Sequence, residues 1–195
     1  MGKLYIIMGK SATGKDTIYK RLMEQRDFPL KRVIGYTTRP IRRNETNGVE
    51  YFFRTGKELE QLRAAGRVIE LRTYYTILGE WHYFTVDDGQ IDLENQDYLL
   101  ISTLAGYEQL QNYYGRERVV PLYIEAGDKE RLLRSIRRED GQRQPNYAEV
   151  CRRYLADETD FAETELERLG IDRRYRNDNL ERCLEEIREA VAHGY

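Results

Sequence analysis

The chain has 195 residues, 40% of them hydrophobic and 34% charged, with a formal net charge of −2. That is room for one compact α/β domain with small insertions, not for two large domains. No apolar run approaches the 18 residues of a membrane span, and the slightly acidic balance argues against wholesale binding to nucleic acid or to an anionic membrane.

The first element is the β-rich run Leu4 to Met8, too short for a signal-peptide core and without a small-residue cleavage site after it. A Gly-bearing loop follows, then an amphipathic helix from about Lys15 to Gln25 with Ile18, Leu22 and Met23 on one face. After Pro29 the pattern predicts a strand over Arg32 to Tyr36, a polar stretch, and a strand over Val49 to Phe53. Lys57 to Ala65 reads as a helix closed by Gly66, and Val68 to Leu71 and Trp81 to Val86 read as strands. Asp87 to Gln96 reads as a loop or a short helix. Then come strand Tyr98 to Ser102, helix Leu104 to Tyr113, strand Val119 to Ile124 and helix Asp128 to Arg138. A Gly/Gln/Pro break precedes a long helix from about Tyr147, a short strand near Arg174 and the helix Leu180 to Ala192. Alternating strands and helices imply a parallel sheet covered on both faces by right-handed crossovers.

Cys151 and Cys183 fall in segments that read as different helices, without metal-ligand spacing, so idle thiols in a reducing compartment are expected, and the cytoplasm with them. Of the 32 basic residues 25 are Arg, whose planar fork pairs with phosphate oxygens two at a time. Most of the 16 Tyr are expected to be half-buried with wet hydroxyls.

The segment Gly9-Lys10-Ser11-Ala12-Thr13-Gly14-Lys15 fits G-x-x-x-x-G-K between a first strand and a helix. Glycines there let backbone N–H groups turn inward as an anion nest, the helix N-terminus adds its positive end, and Lys15 reaches the β- and γ-phosphates. This points to a P-loop that holds ATP. The residue after Lys15 is Asp16, followed by Thr17, where such loops keep a Mg²⁺-binding hydroxyl. A carboxylate is still a hard oxygen ligand, so Asp16 is the candidate metal residue; the alternative is that it repels phosphate and marks a degenerate loop.

Thr37-Thr38-Arg39-Pro40-Ile41-Arg42 and Asn47-Gly48-Val49-Glu50-Tyr51 resemble, in order, two motifs of the guanylate kinase family. The resemblance runs from the first strand to the last helix. It implies that Arg39, Arg42 and Tyr51 hold the phosphate of an acceptor nucleoside monophosphate, with GMP favoured. Val68-Ile69-Glu70 is similar to the segment whose Glu accepts from the guanine edge, and Tyr83-Phe84-Thr85 to one whose Tyr meets the phosphate and whose hydroxyl residue meets the base. The helices bearing Arg134, Arg137 and Arg138 and bearing Arg152 and Arg153 look like the arms of the family's lid, with Arg138 and Arg153 as transfer arginines. For any one of these five, a solvated Arg-rich helix face is the alternative. Asn177, in Asn177-Asp178-Asn179-Leu180, resembles a residue near the ATP adenine.

Besides Asp16, three positions depart from the family pattern. Gly35 stands where the family has Ser, Phe84 where it has Gly, and Thr103 where it has an acceptor-facing Asp at a strand end. Asp16 and Thr103 together read as an exchange of one carboxylate and one hydroxyl.

The resulting expectation is an α/β P-loop three-layer fold with a parallel sheet core at about 1–34, 89–125 and 159–195, an acceptor lobe at about 35–88 and a helical lid at about 126–158. It would be an ATP- and Mg²⁺-dependent kinase in which Lys15, Arg39, Arg138 and Arg153 are catalytic. Arg39, Arg42, Tyr51, Glu70, Tyr83, Thr85 and Thr103 would bind the acceptor. The rivals are a same-fold kinase for another phosphorylated small molecule and a non-catalytic guanylate-kinase-like interaction module. Oligomeric state is left open by the sequence.

Overall fold

A computed structural model describes residues 1–76 and 79–193. In chain order the elements are β1 (Leu4–Met8), α1 (Lys15–Met23), β2 (Lys31–Arg32), β3 (Tyr36–Thr37), β4 (Phe52–Phe53), α2 (Gly56–Ala64), β5 (Val68–Thr76) and β6 (Gly79–Val86). They continue with β7 (Tyr98–Ile101), α3 (Leu104–Tyr114), β8 (Val119–Glu125), α4 (Asp128–Asp140), α5 (Tyr147–Asp160), α6 (Glu163–Arg168), β9 (Arg174–Arg176) and α7 (Leu180–Ala192). The core sheet has the order β2-β7-β1-β8-β9, with β2 and β7 parallel and β8 and β9 parallel. A second sheet has the order β4-β3-β6-β5.

Every residue of β1 and all of β8 except Glu125 are buried. This is why both read as continuous apolar runs rather than alternating ones, as strands covered on both faces do. The chain divides into two compact units. One, the P-loop unit, comprises 5–29, 101–104 and 120–195; the other, the hairpin unit, comprises 1–4, 30–100 and 105–119.

In the hairpin unit β5 and β6 pair antiparallel from Val68↔Val86 to Thr76↔Gly79, and Tyr36, Leu59, Phe84 and Val86 form its small core. The strand expected over Arg32 to Tyr36 is two strands in two sheets. Lys31–Arg32 pairs with β7, whereas Tyr36–Thr37 pairs with β4 and β6. The strand expected over 49–53 shrinks to Phe52–Phe53, while the hairpin strands are longer than expected. Asp87 to Gln96 holds no helix. There the Gln90 side chain takes the place of a strand partner, accepting from Ile34 N–H at 3.1 Å and donating to Ile34 C=O at 3.2 Å.

Helix starts follow local chemistry. Thr55 and Glu58 form a reciprocal capping box on α2, and Asn146 and Asn179 cap α5 and α7. By contrast α1 begins on Gly14, which offers no side-chain cap and leaves the helix N–H groups open to an anion. The long helix expected from Tyr147 breaks at Phe161, and α6 follows as a separate element.

Candidate active site

In the P-loop unit two glycines are needed for different reasons. Gly9 has φ +151°, and a Cβ there would lie 2.3 Å from the carbonyl oxygen of Ile124 on β8. Gly14 has φ +95°, and its Cβ would lie 2.3 Å from Asn177 Nδ2. Ala12 also takes a left-handed conformation, φ +61°, which costs an L-residue about 1–2 kcal/mol. Such strain persists only where surroundings impose it, and it is concentrated here in the loop that must wrap a phosphate.

Lys15 is held at the base of this loop, its Nζ 3.4 Å from the carbonyl oxygen of Lys10. Burial lowers its pKa; Asp16 and Asp157 oppose that, and the nearby Arg138 and Arg153 reinforce it. Both candidate transfer arginines thus lie within electrostatic reach of the P-loop lysine, and both line a cleft with Ser11 and Asp157. Arg153 and Arg152 also pair with Glu149 in a solvent-exposed cluster, and Arg134 donates to Glu130 and to the carbonyl oxygen of Asn177. Asp16 and Thr17 are exposed on the first turn of α1.

Asn177 is buried and donates from Nδ2 to the Thr13 carbonyl oxygen at 2.7 Å, so its side chain braces the loop. The sequence reading missed three further braces. Arg131, fully buried on α4, donates from Nε to the Ser11 carbonyl oxygen at 3.2 Å and from Nη2 to Asp157 at 3.1 Å. The Asp157 carboxylate accepts from the Ser11 N–H at 2.6 Å, and Lys10 pairs with Glu158 at 2.7 Å. Nothing local marks Arg131 or Asp157, since each is one charge among many on a charged helix.

In the hairpin unit Arg39 is buried and almost saturated. Its Nη1 and Nη2 donate to the two Glu45 oxygens at 2.7 and 2.6 Å, Nε donates to the Tyr83 hydroxyl at 3.1 Å, and Nη1 also reaches Pro40 C=O. The guanidinium lies 5.4 Å from the ring centres of both Tyr51 and Phe53. This hydrogen-bonded pairing holds the Glu45 carboxyl down at about 2, despite partial desolvation. Glu45 was not read from the sequence; it also accepts from the Arg42 N–H at 2.8 Å, while the Arg42 side chain is exposed.

Tyr51 and Tyr83 meet edge to face at 5.5 Å. Glu70 and Thr85 are both buried and joined by a 2.9 Å hydrogen bond from the Thr85 hydroxyl. Phe84, the residue in place of Gly, is fully buried against Tyr36 and belongs to the packing of this unit. At Gly35 a Cβ would meet only ordinary contacts, 3.7 Å from Tyr51, so space does not demand glycine there. Thr103 falls in the P-loop unit, where the other acceptor candidates do not.

A strand, a glycine loop, a helix N-terminus with a half-buried lysine and two arginines near it define a P-loop phosphotransferase site. The comparisons narrow the class. The family model for guanylate kinase matches residues 1–194. A guanylate kinase of Porphyromonas gingivalis is 29% identical over 195 residues, covering 98% of this chain and 97% of the relative. That of Bacillus subtilis is 32% identical over 114 residues, 58% of this chain and 54% of the relative. The crystal structure of guanylate kinase from Anaplasma phagocytophilum matches in fold with a TM-score of 0.70 at 18% identity, covering 99% of this chain and 86% of that one. The chain belongs to the guanylate kinase family; it is an enzyme, a nucleotide-binding transferase of the kinase class.

Proposed function

We propose that the enzyme transfers the γ-phosphoryl group of ATP to GMP, giving ADP and GDP, with Mg²⁺. The observation that carries this reading is the placement of Lys15 at the P-loop with Arg138 and Arg153 in its electrostatic field. Three cations around one loop suit a transferring phosphoryl group, whose negative charge spreads over its equatorial oxygens. The ATP ligands are Gly9, Lys10, Ser11, Ala12, Thr13, Gly14, Lys15, Asp16 and Thr17, with Asn177 bracing the loop. The acceptor candidates of the hairpin unit are Arg39, Arg42, Tyr51, Glu70, Tyr83 and Thr85. A monoester phosphate is already ionised near neutral pH, so it attacks without a general base.

Asp16 is the residue that would hold the metal. Among the described residues no three His, Cys, Asp or Glu side chains gather as a cage, which leaves one carboxylate to complement phosphate oxygens and water, a donor set that suits Mg²⁺. When bound, the ion would offset charge on the β- and γ-oxygens.

The division into core, acceptor lobe at about 35–88 and lid at about 126–158 is part of this proposal, and so is the cytoplasm. Among the described residues no helix is long and apolar enough to cross a membrane, and Cys151 and Cys183 are unpaired. A coupled ADP assay with ATP·Mg²⁺ and a panel of nucleoside monophosphates tests the reading: GMP should be phosphorylated. Use of no monophosphate, with ATP bound normally, would return the chain to the rival of a kinase for another acceptor. In the same assay Asp16→Ala should raise the Mg²⁺ needed for half-maximal rate. An unchanged Mg²⁺ dependence would remove Asp16 from the metal site.

A further inference from the structure

Glu70 is the carboxylate assigned to the acceptor's base, yet its side chain has 0% of its surface exposed, and its carboxylate is paired with Arg72. Arg72 donates from Nε to Glu70 Oε2 at 2.9 Å and from Nη2 to Oε1 at 3.1 Å, and Oε1 also accepts from Thr85. A carboxylate has about four lone-pair positions, and three of Glu70's are used within the protein. Arg72 keeps 16% of its side chain exposed and is hydrogen-bonded to the Tyr74 hydroxyl, beside the Tyr83 ring that Tyr74 meets at 5.5 Å. The pair therefore leaves surface for a ligand on Arg72 and none on Glu70.

We propose that Arg72 is the residue that reads the acceptor's base, with buried Glu70 holding it in place, and that the site takes 6-oxopurine monophosphates without distinguishing guanine from hypoxanthine. The inference rests on the assignment of this unit to a nucleoside monophosphate. A guanidinium is donor-only and matches O6 and N7 of guanine as a fork. Hypoxanthine carries the same two acceptors. The amino group that distinguishes guanine is a donor, and donors gain nothing from Arg72 while Glu70 is enclosed. Adenine places an amino group where the others have O6, so donor would face donor. Rejection is then expected, because the polar groups of the site would be left unpaired.

The test is kcat/KM for GMP, IMP and AMP with saturating ATP·Mg²⁺. IMP should fall within about threefold of GMP, with AMP about 100-fold lower. Arg72→Leu uncovers Glu70 and should shift the ratio toward GMP by about tenfold at unchanged KM for ATP. Should that variant fail to fold, Arg72→Lys, which keeps the charge but not the fork, should weaken GMP and IMP equally. A wild-type preference for GMP over IMP of more than about tenfold would overturn the proposal, since it would require the amino group to reach a carboxylate. If no monophosphate is used at all, the acceptor assignment falls and this inference with it, whereas GMP used with IMP refused sinks the inference alone.

Discussion

In the P-loop unit the most deeply placed guanidinium, Arg131, pairs with Asp157, Asp128 and Glu158 and also holds the loop's own backbone, whereas in the hairpin unit Arg39 and Arg72 end on carboxylates in a cluster of tyrosines. The first arrangement fixes a shape, because the Ser11 carbonyl oxygen and N–H are both held from α4 and α5. The second stores charge in a form that can be exchanged: an arginine neutralised by Glu45 can pass its fork to a phosphate of the same geometry. A P-loop must be preorganised to stabilise charge that develops only in the transition state. An acceptor site, the role proposed for the hairpin unit, must instead bind and release, and saturated arginines would keep it folded between substrates.

The comparison can be broken most directly at Lys15. Lys15→Ala should lower turnover by about 10³-fold or more with the fold intact, since a loop cation and not a core side chain is removed. Near-normal turnover in a steady-state assay would end the P-loop reading.

Next is the brace. Asp157→Ala takes one carboxylate from buried Arg131, which keeps Asp128 and Glu158, and leaves the Ser11 N–H without its acceptor; losing the partner of such polar groups typically costs about 1–3 kcal/mol. At this chain length that is a fall in melting temperature of about 2–12 °C. Asp157→Asn, which keeps an acceptor for the Ser11 N–H, should lose less, and calorimetry that finds no loss in the alanine variant would show that the brace is idle.

The exchangeable pair has a pH signature. The Glu45 carboxyl is depressed in the folded state to about 2, so its contribution is fully present above the ordinary carboxylate value near 4.5 and is lost as pH falls through the folded value near 2. Glu45→Gln should flatten this part of the acid limb of a stability profile followed by circular dichroism. It should also tighten the acceptor, read as a lower KM for GMP at unchanged KM for ATP, because the phosphate no longer competes with a carboxylate for Arg39. An unaltered KM would mean that Glu45 does not compete.

The smallest expected effect is at Ala12. Glycine removes the left-handed strain of about 1–2 kcal/mol but adds unfolded-chain entropy of about 0.4–1 kcal/mol. Ala12→Gly should therefore stabilise by about 1 kcal/mol or less, visible as a small rise in denaturation midpoint. A clear destabilisation would contradict the backbone geometry of the loop.

Local patterns made the P-loop, most of the helices and the buried strands legible, because apolar periodicity, glycine and capping residues act over a few residues. The signals failed where a partner distant in sequence decides. Lys31–Arg32 and Tyr36–Thr37 read as one strand because nothing between them marks a change of sheet. Phe84 looked like a damaged motif and is a core side chain, since a one-dimensional alignment cannot tell which face of β6 it occupies. Glu45, Arg72, Arg131 and Asp157 were invisible for a common reason: in a chain that is 34% charged, no single charge announces its partner.

By itself, then, the sequence determined a phosphate-binding loop on a parallel α/β core, the arginine-rich segments around it and the family resemblance. These follow from short-range geometry and from the residue types that phosphate chemistry requires. Only the tertiary structure decided which charges are spent on the protein and which are offered to a ligand. That outcome depends on burial and on contacts across as many as 164 positions of the chain, as between Thr13 and Asn177. A hydrogen bond's worth is set by what else its partners can reach, which folding alone establishes.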